Sequence, residues 1–242
     1  MKIWLFPLLF LGLVAPFTPF LDLYFSSLFY MDGREFTNPL PFHILFKYGE
    51  IFGLLTGALA LLVYLLSFGI KKIRPFQKGA LVMVLTLVIG AGLLTNVLFK
   101  GYWGRPRPKQ IVEFGGEHDY RPFWKPHFHA APEPQRSFPS GHVAMGFYFL
   151  SLVLVGRRYN NQKLVITGIL LTASLGGGLM IARVGQGGHF FSDVIVSPVL
   201  MWLVALGTDR VVFTWGGSSQ KSLDSRPLDT SPELETSSEV YR

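Results

Sequence analysis

The sequence predicts an all-α integral membrane protein with six transmembrane helices. Half of the 242 residues are hydrophobic, only 15% are charged, and the mean hydropathy is +0.37. Soluble domains carry about 25% charged residues. Six apolar runs are long enough to cross a bilayer, which takes about 20 residues. Because the chain contains no cysteine, thiol catalysis, thiolate metal sites and disulfides are excluded.

The predicted spans lie near residues 3–20, 45–69, 79–99, 140–156, 164–182 and 194–214. The first span follows a single lysine and could be taken for a signal peptide. However, prolines stand where a small-residue cleavage site would be expected, and no A-x-A sequence precedes them. We therefore expect this segment to be retained as a membrane span.

Two short basic turns predict the orientation of the helices. One turn contains Lys71, Lys72, Arg74 and Lys78, and the other contains Arg157, Arg158 and Lys163. Short loops rich in lysine and arginine stay in the cytoplasm, whereas long loops cross largely regardless of charge. We therefore expect both termini in the cytoplasm and the basic loop of residues 100–138 on the opposite side of the membrane.

The chain is expected to consist of one membrane domain and a tail. Residues 1–214 contain all six predicted spans. After residue 214 the composition changes to serine, threonine, proline and acidic residues. Such a segment has too little apolar surface to form a core. Residues 215–242 are therefore expected to be a disordered cytoplasmic tail.

Three polar clusters stand at the ends of predicted spans. Residues 100–108 follow span three, residues 139–142 precede span four, and residues 183–193 join spans five and six. The end of span three, the start of span four and the end of span five all lie on the same side of the membrane. Connectivity alone therefore places the three clusters together on one face of the membrane, at the ends of helices 3 to 6.

The clusters contain the groups that a phosphate ester requires. Arginine and lysine neutralise phosphoryl oxygens, and a loop that leads into a helix presents backbone N–H groups to an anion. Of the two histidines, His142 and His189, one can attack phosphorus while the other protonates the departing oxygen. Asp193 lies four residues after His189, so on a helix its carboxylate can orient that imidazole.

The spacing of these residues resembles the three-part signature of the type 2 phosphatidic acid phosphatase superfamily. The first part has six residues between Lys100 and Arg107, the second is residues 139–142, and the third runs from Arg183 through His189 to Asp193. The resemblance covers roughly residues 79–214, and the first two spans fit it only by number. It implies a six-helix membrane fold.

The resemblance also implies a metal-independent phosphatase that forms a phosphohistidine and needs no cofactor. In this interpretation His189 is the nucleophile, Asp193 orients it, and His142 is the general acid. The residues implied to hold the phosphate are Lys100, Arg107, Ser140, Gly141 and Arg183. Ala182 departs from the family pattern, which often has serine there. One phosphate hydrogen bond is therefore expected to be missing or supplied elsewhere.

A narrower resemblance is to bacterial lipid A phosphatases, and it favours those that remove the 4′-phosphate. It is carried by residues 103–108, 113–116, 176–180 and 185–194. This resemblance implies a bacterial inner membrane with the active site at the periplasmic ends of helices 3 to 6, which agrees with the orientation that the short turns predict. Similar motifs serve phosphatases of undecaprenyl pyrophosphate and of phosphatidylglycerol phosphate. Phosphoryl transfer between two lipids would use the same residues. All of these interpretations require a membrane and a lipid substrate, but neither nucleic acid nor an obligate protein partner.

A non-catalytic lipid-phosphate binder or flippase is the alternative from another class. It would use the same anion-binding residues without any chemistry. The presence of both His142 and His189 argues against it.

Other polar residues near the clusters are open to two interpretations. A basic rim suited to a second phosphate or a polyanionic headgroup is expected from Arg105, Arg121, Lys125 and Arg136, and an ordinary solvated loop is the alternative. A metal site could be imagined from Glu117, His118, Asp119, His127 and His129. These residues lack the helical i, i+4 pairing of a zinc site, so no metal is expected.

The acidic residues Asp193 and Glu50 stand in apolar stretches of the sequence. A charge inside a membrane is costly unless it is paired. The alternative to a catalytic role for Asp193 is therefore a structural ion pair with Arg183. Glu50 lies in the second span, where we expect it to be a helix-packing partner.

Overall fold

A computed structural model of the chain describes residues 5–31, 33–128 and 135–214. Five helices in this part of the chain are long and apolar enough to cross a membrane. They are α1 (Leu5–Ser27), α2 (Leu40–Leu66), α3 (Arg74–Tyr102), α6 (Gln162–Gly185) and α7 (Phe191–Thr214). The prediction of a helical membrane protein is confirmed, whereas the tail predicted for residues 215–242 lies outside the described residues.

The fourth predicted span, near residues 140–156, has a different form from the one expected. It consists of two shorter helices, α4 (Gly141–Phe147) and α5 (Leu150–Arg158). The break between them falls at Tyr148 and Phe149, and both side chains are buried. Neither helix alone has the ~20 residues that a span requires. The helix pair α4 and α5 packs in the interior of the bundle instead of standing as one long helix.

The outer faces of the long helices are apolar. Leu55 and Leu59 of α2 and Leu170 of α6 are each at least 60% exposed. Exposed apolar surface of this extent would make a soluble protein aggregate, but lipid tails solvate it. The surface of the bundle is therefore suited to hydrocarbon.

Small residues allow α2 to approach α4 closely. Gly49, Gly53 and Gly57 are buried on one face of α2 at four-residue intervals. A Cβ added at Gly53 would lie 2.8 Å from the Met145 side chain of α4. Glycine at such positions lets two membrane helices come into contact. This contact brings α2 next to the helix that carries His142.

The two ends of the bundle are built differently. At one end short turns join the helices, and Arg158 forms an ion pair with Asp209 at 2.7 Å. The other end carries the long loop of residues 103–140 and an antiparallel hairpin of β1 (Tyr30–Met31) and β2 (Glu35–Phe36). We call this second end, which includes the N-termini of α2, α4 and α7, the site end.

The long loop has a small apolar core of its own. Ile111, Phe114 and Phe190 are buried together, and Tyr30 and Phe36 of the hairpin pack against them. Since Phe190 directly precedes α7, this core fixes both the loop and the hairpin to the start of that helix. The loop is thereby held over the site end.

Candidate active site

The structure brings the three polar clusters together at the site end. The charges of Lys100 and Arg183 act on the imidazoles of both His142 and His189. Arg107 in turn interacts electrostatically with Lys100 and with Arg183. Three cations from different segments therefore surround two histidines.

A π-helical stretch, Thr86–Phe99, leads to Lys100. Within it the side chains of Thr95 and Asn96 each donate to the carbonyl five residues earlier, at 2.8 Å. π-helical turns are rare and frequent at functional sites. A Cβ added at Gly141 would lie 2.9 Å from Lys100 Nζ. The absence of a side chain at Gly141 therefore leaves room for the ammonium beside the start of α4.

His189 lies in the tight connection between α6 and α7 and is 1% exposed. Burial, the largest cause, lowers the pKa of His189 to about 3, although Asp193 acts in the opposite direction. Its Nδ1 lies 3.6 Å from Asp193 Oδ2, somewhat beyond hydrogen-bond length. A proton on Nδ1 would face the carboxylate and leave Nε2 with a lone pair. The lowered pKa favours the neutral imidazole, which is the form that the role predicted for His189 requires.

Asp193 is held by three partners, none of which the sequence predicted for it. Its Oδ2 accepts hydrogen bonds from Ser137 Oγ at 2.5 Å and from Phe190 N at 2.9 Å. Its Oδ1 forms an ion pair with Arg105. The alternative pairing of Asp193 with Arg183 is therefore wrong, because the cation beside this carboxylate is Arg105.

Arg105 is not part of a basic rim, and that prediction is wrong for this residue. The side chain is 1% exposed, and its Nη2 pairs with Asp22 Oδ2 of α1 at 2.7 Å. It also donates to Ser192 Oγ and to the carbonyl of Arg121, both at 2.8 Å. A guanidinium leaves water only when its charge is compensated. Here Asp22 and Asp193 compensate it.

The other three residues of the predicted rim lie nearer to solvent. Arg121 is half-buried, and Lys125 and Arg136 are exposed. The charge of Arg136 acts on Lys100, so Arg136 lies near the cation cluster.

The residues considered for a metal site do not form one within the described part of the chain. No group of three His, Cys, Asp or Glu side chains there could hold a metal ion. His127 is exposed, and His129 lies outside the described residues.

Glu50 reaches the site, which corrects the packing role that we expected for it. Its Oε1 lies 3.2 Å from His142 Nδ1. One turn earlier on α2, the Phe46 ring stacks on the imidazole, with 4.8 Å between ring centroids. Residues four apart share a helix face. The only sequence signal was an ionisable side chain within an apolar span, a feature that often marks a functional residue.

Arg183 is buried, and neighbouring residues hold its side chain in position on several sides. Its guanidinium lies 4.6 Å from the centroid of the Phe46 ring, and its Nη1 donates to Gln186 Oε1 at 2.7 Å. A Cβ added at Gly188 would overlap the guanidinium. The arginine can keep this position only while residue 188 has no side chain.

Ser140 shapes the turn that carries Gly141 and His142. It is fully buried, and its Oγ caps α4 by accepting from Val143 N at 3.5 Å. Its own N–H donates to Ser197 Oγ of α7 at 3.0 Å. The turn at the start of α4 is therefore anchored to α7, the helix that carries Asp193.

The site as a whole can bind a tetrahedral anion. One of its histidines can take part in group transfer and the other in proton transfer. Three cations supply the charge, and each of the two histidines has a carboxylate near its Nδ1. A neutral, buried imidazole and a second imidazole that faces the same cations suit nucleophilic attack at phosphorus with general acid assistance.

Comparison with known proteins agrees with this chemistry. The PAP2 superfamily profile matches residues 80–216. A lipid A 4′-phosphatase from Francisella tularensis subsp. novicida (strain U112) is 30% identical over 205 residues, covering 83% of this chain and 86% of its own. A lipid A 4′-phosphatase from Rhizobium leguminosarum is 31% identical over 223 residues, covering 81% of this chain and 88% of its own.

A shorter match is to phosphatidylglycerophosphatase B of Haemophilus influenzae. It is 35% identical over 88 residues, which is 34% of this chain and 35% of the relative. No solved structure shows significant similarity to the chain.

Proposed function

Because the chain belongs to the PAP2 superfamily, we propose that it is a membrane lipid phosphatase that removes the 4′-phosphate of lipid A. The observation that carries the chemistry is the pair of histidines, each beside a carboxylate, among three cations. The substrate is supported by similarity to lipid A 4′-phosphatases over at least 81% of the chain. The phosphatidylglycerophosphatase B match extends over only 34% of it.

The proposed reaction has two steps. His189 Nε2 attacks phosphorus, and the bond to the sugar oxygen breaks as His142 gives that oxygen a proton. Water then attacks the phosphohistidine while His142 accepts a proton from it, and the nitrogen–phosphorus bond breaks to release inorganic phosphate. Asp193 stabilises the positive charge that forms on His189.

In this proposal the phosphoryl oxygens are neutralised by Lys100, Arg107 and Arg183. Arginine suits the role because its fork matches two oxygens of a phosphate. Ser140 and Gly141 would form the base of the phosphate site, where the turn at the start of α4 adjoins the Lys100 ammonium.

We also propose a six-span topology for the membrane domain, residues 1–214, with both termini and the tail in the cytoplasm. The pair α4 and α5 would form the remaining crossing, since residues 141–158 amount to about 27 Å of helix. The short basic turns lie at the end opposite the site, which supports a periplasmic site in a bacterial inner membrane.

Mass spectrometry of lipids from cells with and without the gene tests the substrate. We expect lipid A to lose one phosphate only when the gene is present, and fragment ions to place the loss at the 4′ position. In vitro, the purified protein should release phosphate from lipid A without added metal, and vanadate should inhibit it. Unchanged lipid A, with another lipid phosphate accumulating in the deletion strain, would contradict the proposal.

Replacing Gly188 with alanine is expected to lower turnover of lipid A about tenfold to a hundredfold while the protein still folds. The added methyl group displaces the end of a flexible side chain, Arg183, and not the backbone. Steady-state kinetics and thermal unfolding in detergent measure the two effects. Gly207→Ala is the matched control, because no atom lies within 4 Å of a Cβ there. Equal activity of both variants would count against the role of Arg183.

Replacing Glu50 with glutamine is expected to slow the hydrolysis of substrates with poor leaving groups more than that of substrates with good ones. The carboxylate 3.2 Å from His142 Nδ1 favours the protonated imidazole that must donate to the sugar oxygen. We expect kcat on lipid A to fall about a hundredfold. Hydrolysis of p-nitrophenyl phosphate, whose leaving group needs no proton, should fall much less. Glu117→Gln, at an exposed position in the long loop, serves as the control, and an equal loss on both substrates would mean that Glu50 acts only on folding or binding.

A further inference from the structure

We propose that the cavity between the β-hairpin and the loop of residues 107–115 binds the phosphorylated sugar headgroup beyond the phosphate that is cleaved. This inference rests on the proposed function. It assigns to the same site a second binding region, made of residues outside the three motifs.

The cavity is continuous with the phosphate site. It has a volume of about 710 Å³, and its inner wall includes Arg107, Arg183 and Gly188. Phe46, which stacks on the His142 imidazole, also lines it. A phosphate held by the arginines would therefore have the rest of its headgroup in this space.

The outer wall presents aromatic rings. Tyr30 and Phe36 of the hairpin and Phe114 of the loop line the cavity, and their ring centroids lie 5.2 to 5.3 Å apart in pairs. Gly187, with φ of +59°, leaves space for the Phe36 ring against the connection that carries His189. Aromatic side chains held in this way form a firm apolar surface, which suits the C–H face of a sugar ring.

The same cavity has an excess of positive charge. Arg34 and Lys109 line it in addition to the two arginines of the phosphate site, and Glu35 is the carboxylate among its lining residues. Partial burial and the charges of Arg107 and Arg183 lower the pKa of Lys109. Neither Arg34 nor Lys109 forms a salt bridge with another residue in the described ranges. An anion bound between them would relieve the repulsion that Lys109 experiences.

A chain of hydrogen bonds links the cavity to the phosphate site. Gln186 Nε2 donates to Asn38 Oδ1 at 2.7 Å, and Gln186 Oε1 accepts from Arg183 Nη1 at 2.7 Å. Asn38 and Gln186 both line the cavity, where amide groups can also bond to sugar hydroxyls. Occupation of the cavity would thus help to hold Arg183 in place.

The size and lining select the class of ligand. Pockets of about 300–1,000 Å³ hold molecules much larger than one phosphate ion. An acyl chain would gain little from a cavity lined by cations and amides. A sugar with a second phosphate, in contrast, would pack its ring on the aromatic wall and place its phosphate between Arg34 and Lys109. The ligand class is therefore a sugar headgroup that carries a second phosphate.

The test uses a soluble probe, the deacylated bisphosphorylated glucosamine disaccharide, as an inhibitor of p-nitrophenyl phosphate hydrolysis by the full chain in detergent. We compare the parent with the double variant Arg34→Gln/Lys109→Gln. The matched control is Lys71→Gln/Lys72→Gln, which removes two exposed charges at the opposite end of the bundle. Thermal unfolding shows whether each protein is folded.

We expect the double variant to raise the inhibition constant of the bisphosphorylated probe at least about tenfold, as for the loss of two charge-assisted contacts. The constant for a monophosphorylated disaccharide should change much less, and the control variant should match the parent. An equal rise for inorganic phosphate would overturn the inference, because it would place Arg34 and Lys109 at the cleaved phosphate. An unchanged constant for the bisphosphorylated probe would also overturn it.

The outcomes distinguish this inference from the proposed function. If lipid A is not hydrolysed but the disaccharide inhibits through Arg34 and Lys109, the function fails and the sugar subsite stands. If lipid A is hydrolysed equally well by the parent and the double variant, the function stands and the subsite fails.

Discussion

Replacing His189 with alanine is expected to abolish phosphate release from lipid A, with a loss of at least about 10⁴-fold in kcat. The variant lacks the atom that forms the bond to phosphorus, and alanine offers no other nucleophile. The imidazole is fully buried, so a small side chain leaves a gap but no unpaired charge. Release of inorganic phosphate from lipid A by purified protein measures the effect.

A trapping experiment separates the nucleophile from the acid. With p-nitrophenyl phosphate labelled in the phosphoryl group, the parent should retain acid-labile label on the protein, and His189→Ala should retain none. His142→Ala should still become labelled, because this leaving group departs without a proton. His127→Ala, in the exposed part of the loop, is the control. Label on His189→Ala would show that another residue attacks phosphorus.

The convergence of the motifs could be predicted from connectivity alone. Successive spans alternate in direction, so the ends that carry Lys100, His142 and Arg183 must lie on one side whatever the details of packing. The four-residue spacing of His189 and Asp193 predicted that the two side chains lie close together, although His189 stands in the connection just before α7 and not on the helix itself. These predictions depended on chain order and helical period, which sequence contains directly.

The partners of the motif residues depend on which helices are in contact with one another. The sequence does not state these contacts directly. Arg105 looked like a solvated loop arginine because its counterion, Asp22, lies 83 residues earlier in α1. Glu50 meets His142 because α2 packs against α4, where Gly53 leaves room for Met145. The break at Tyr148 was equally hidden, since an apolar run has the same hydropathy whether its helix is continuous or interrupted.

Replacing Arg105 with leucine is expected to destabilise the protein by about 3–5 kcal/mol, the usual cost of removing one partner from a buried ion pair. Asp22 and Asp193 are both fully buried and would be left without their cation. Thermal unfolding in detergent measures the loss. Arg105→Lys should be intermediate, because one ammonium cannot make the separate contacts of a guanidinium.

Arg158→Leu provides the matched control at the opposite end of the bundle. Arg158 also pairs with an aspartate, Asp209, through two hydrogen bonds of 2.7 and 2.9 Å. Its side chain is 44% exposed, however, so water can replace the lost contact. We expect a cost on the order of 1 kcal/mol and no change in turnover. A similar loss in Arg105→Leu and Arg158→Leu would mean that burial does not set the cost.

The double variant Arg105→Leu/Asp22→Asn separates stability from catalysis. It removes one buried carboxylate together with the cation, so part of the lost stability should return. Turnover should remain low, because Asp193 would still lack the ion pair that holds it near His189. Recovery of both properties would make Arg105 a purely structural residue. Recovery of stability alone would show that Arg105 positions the nucleophile through Asp193. Asp22 of the first span would then belong to the network that holds His189 in place.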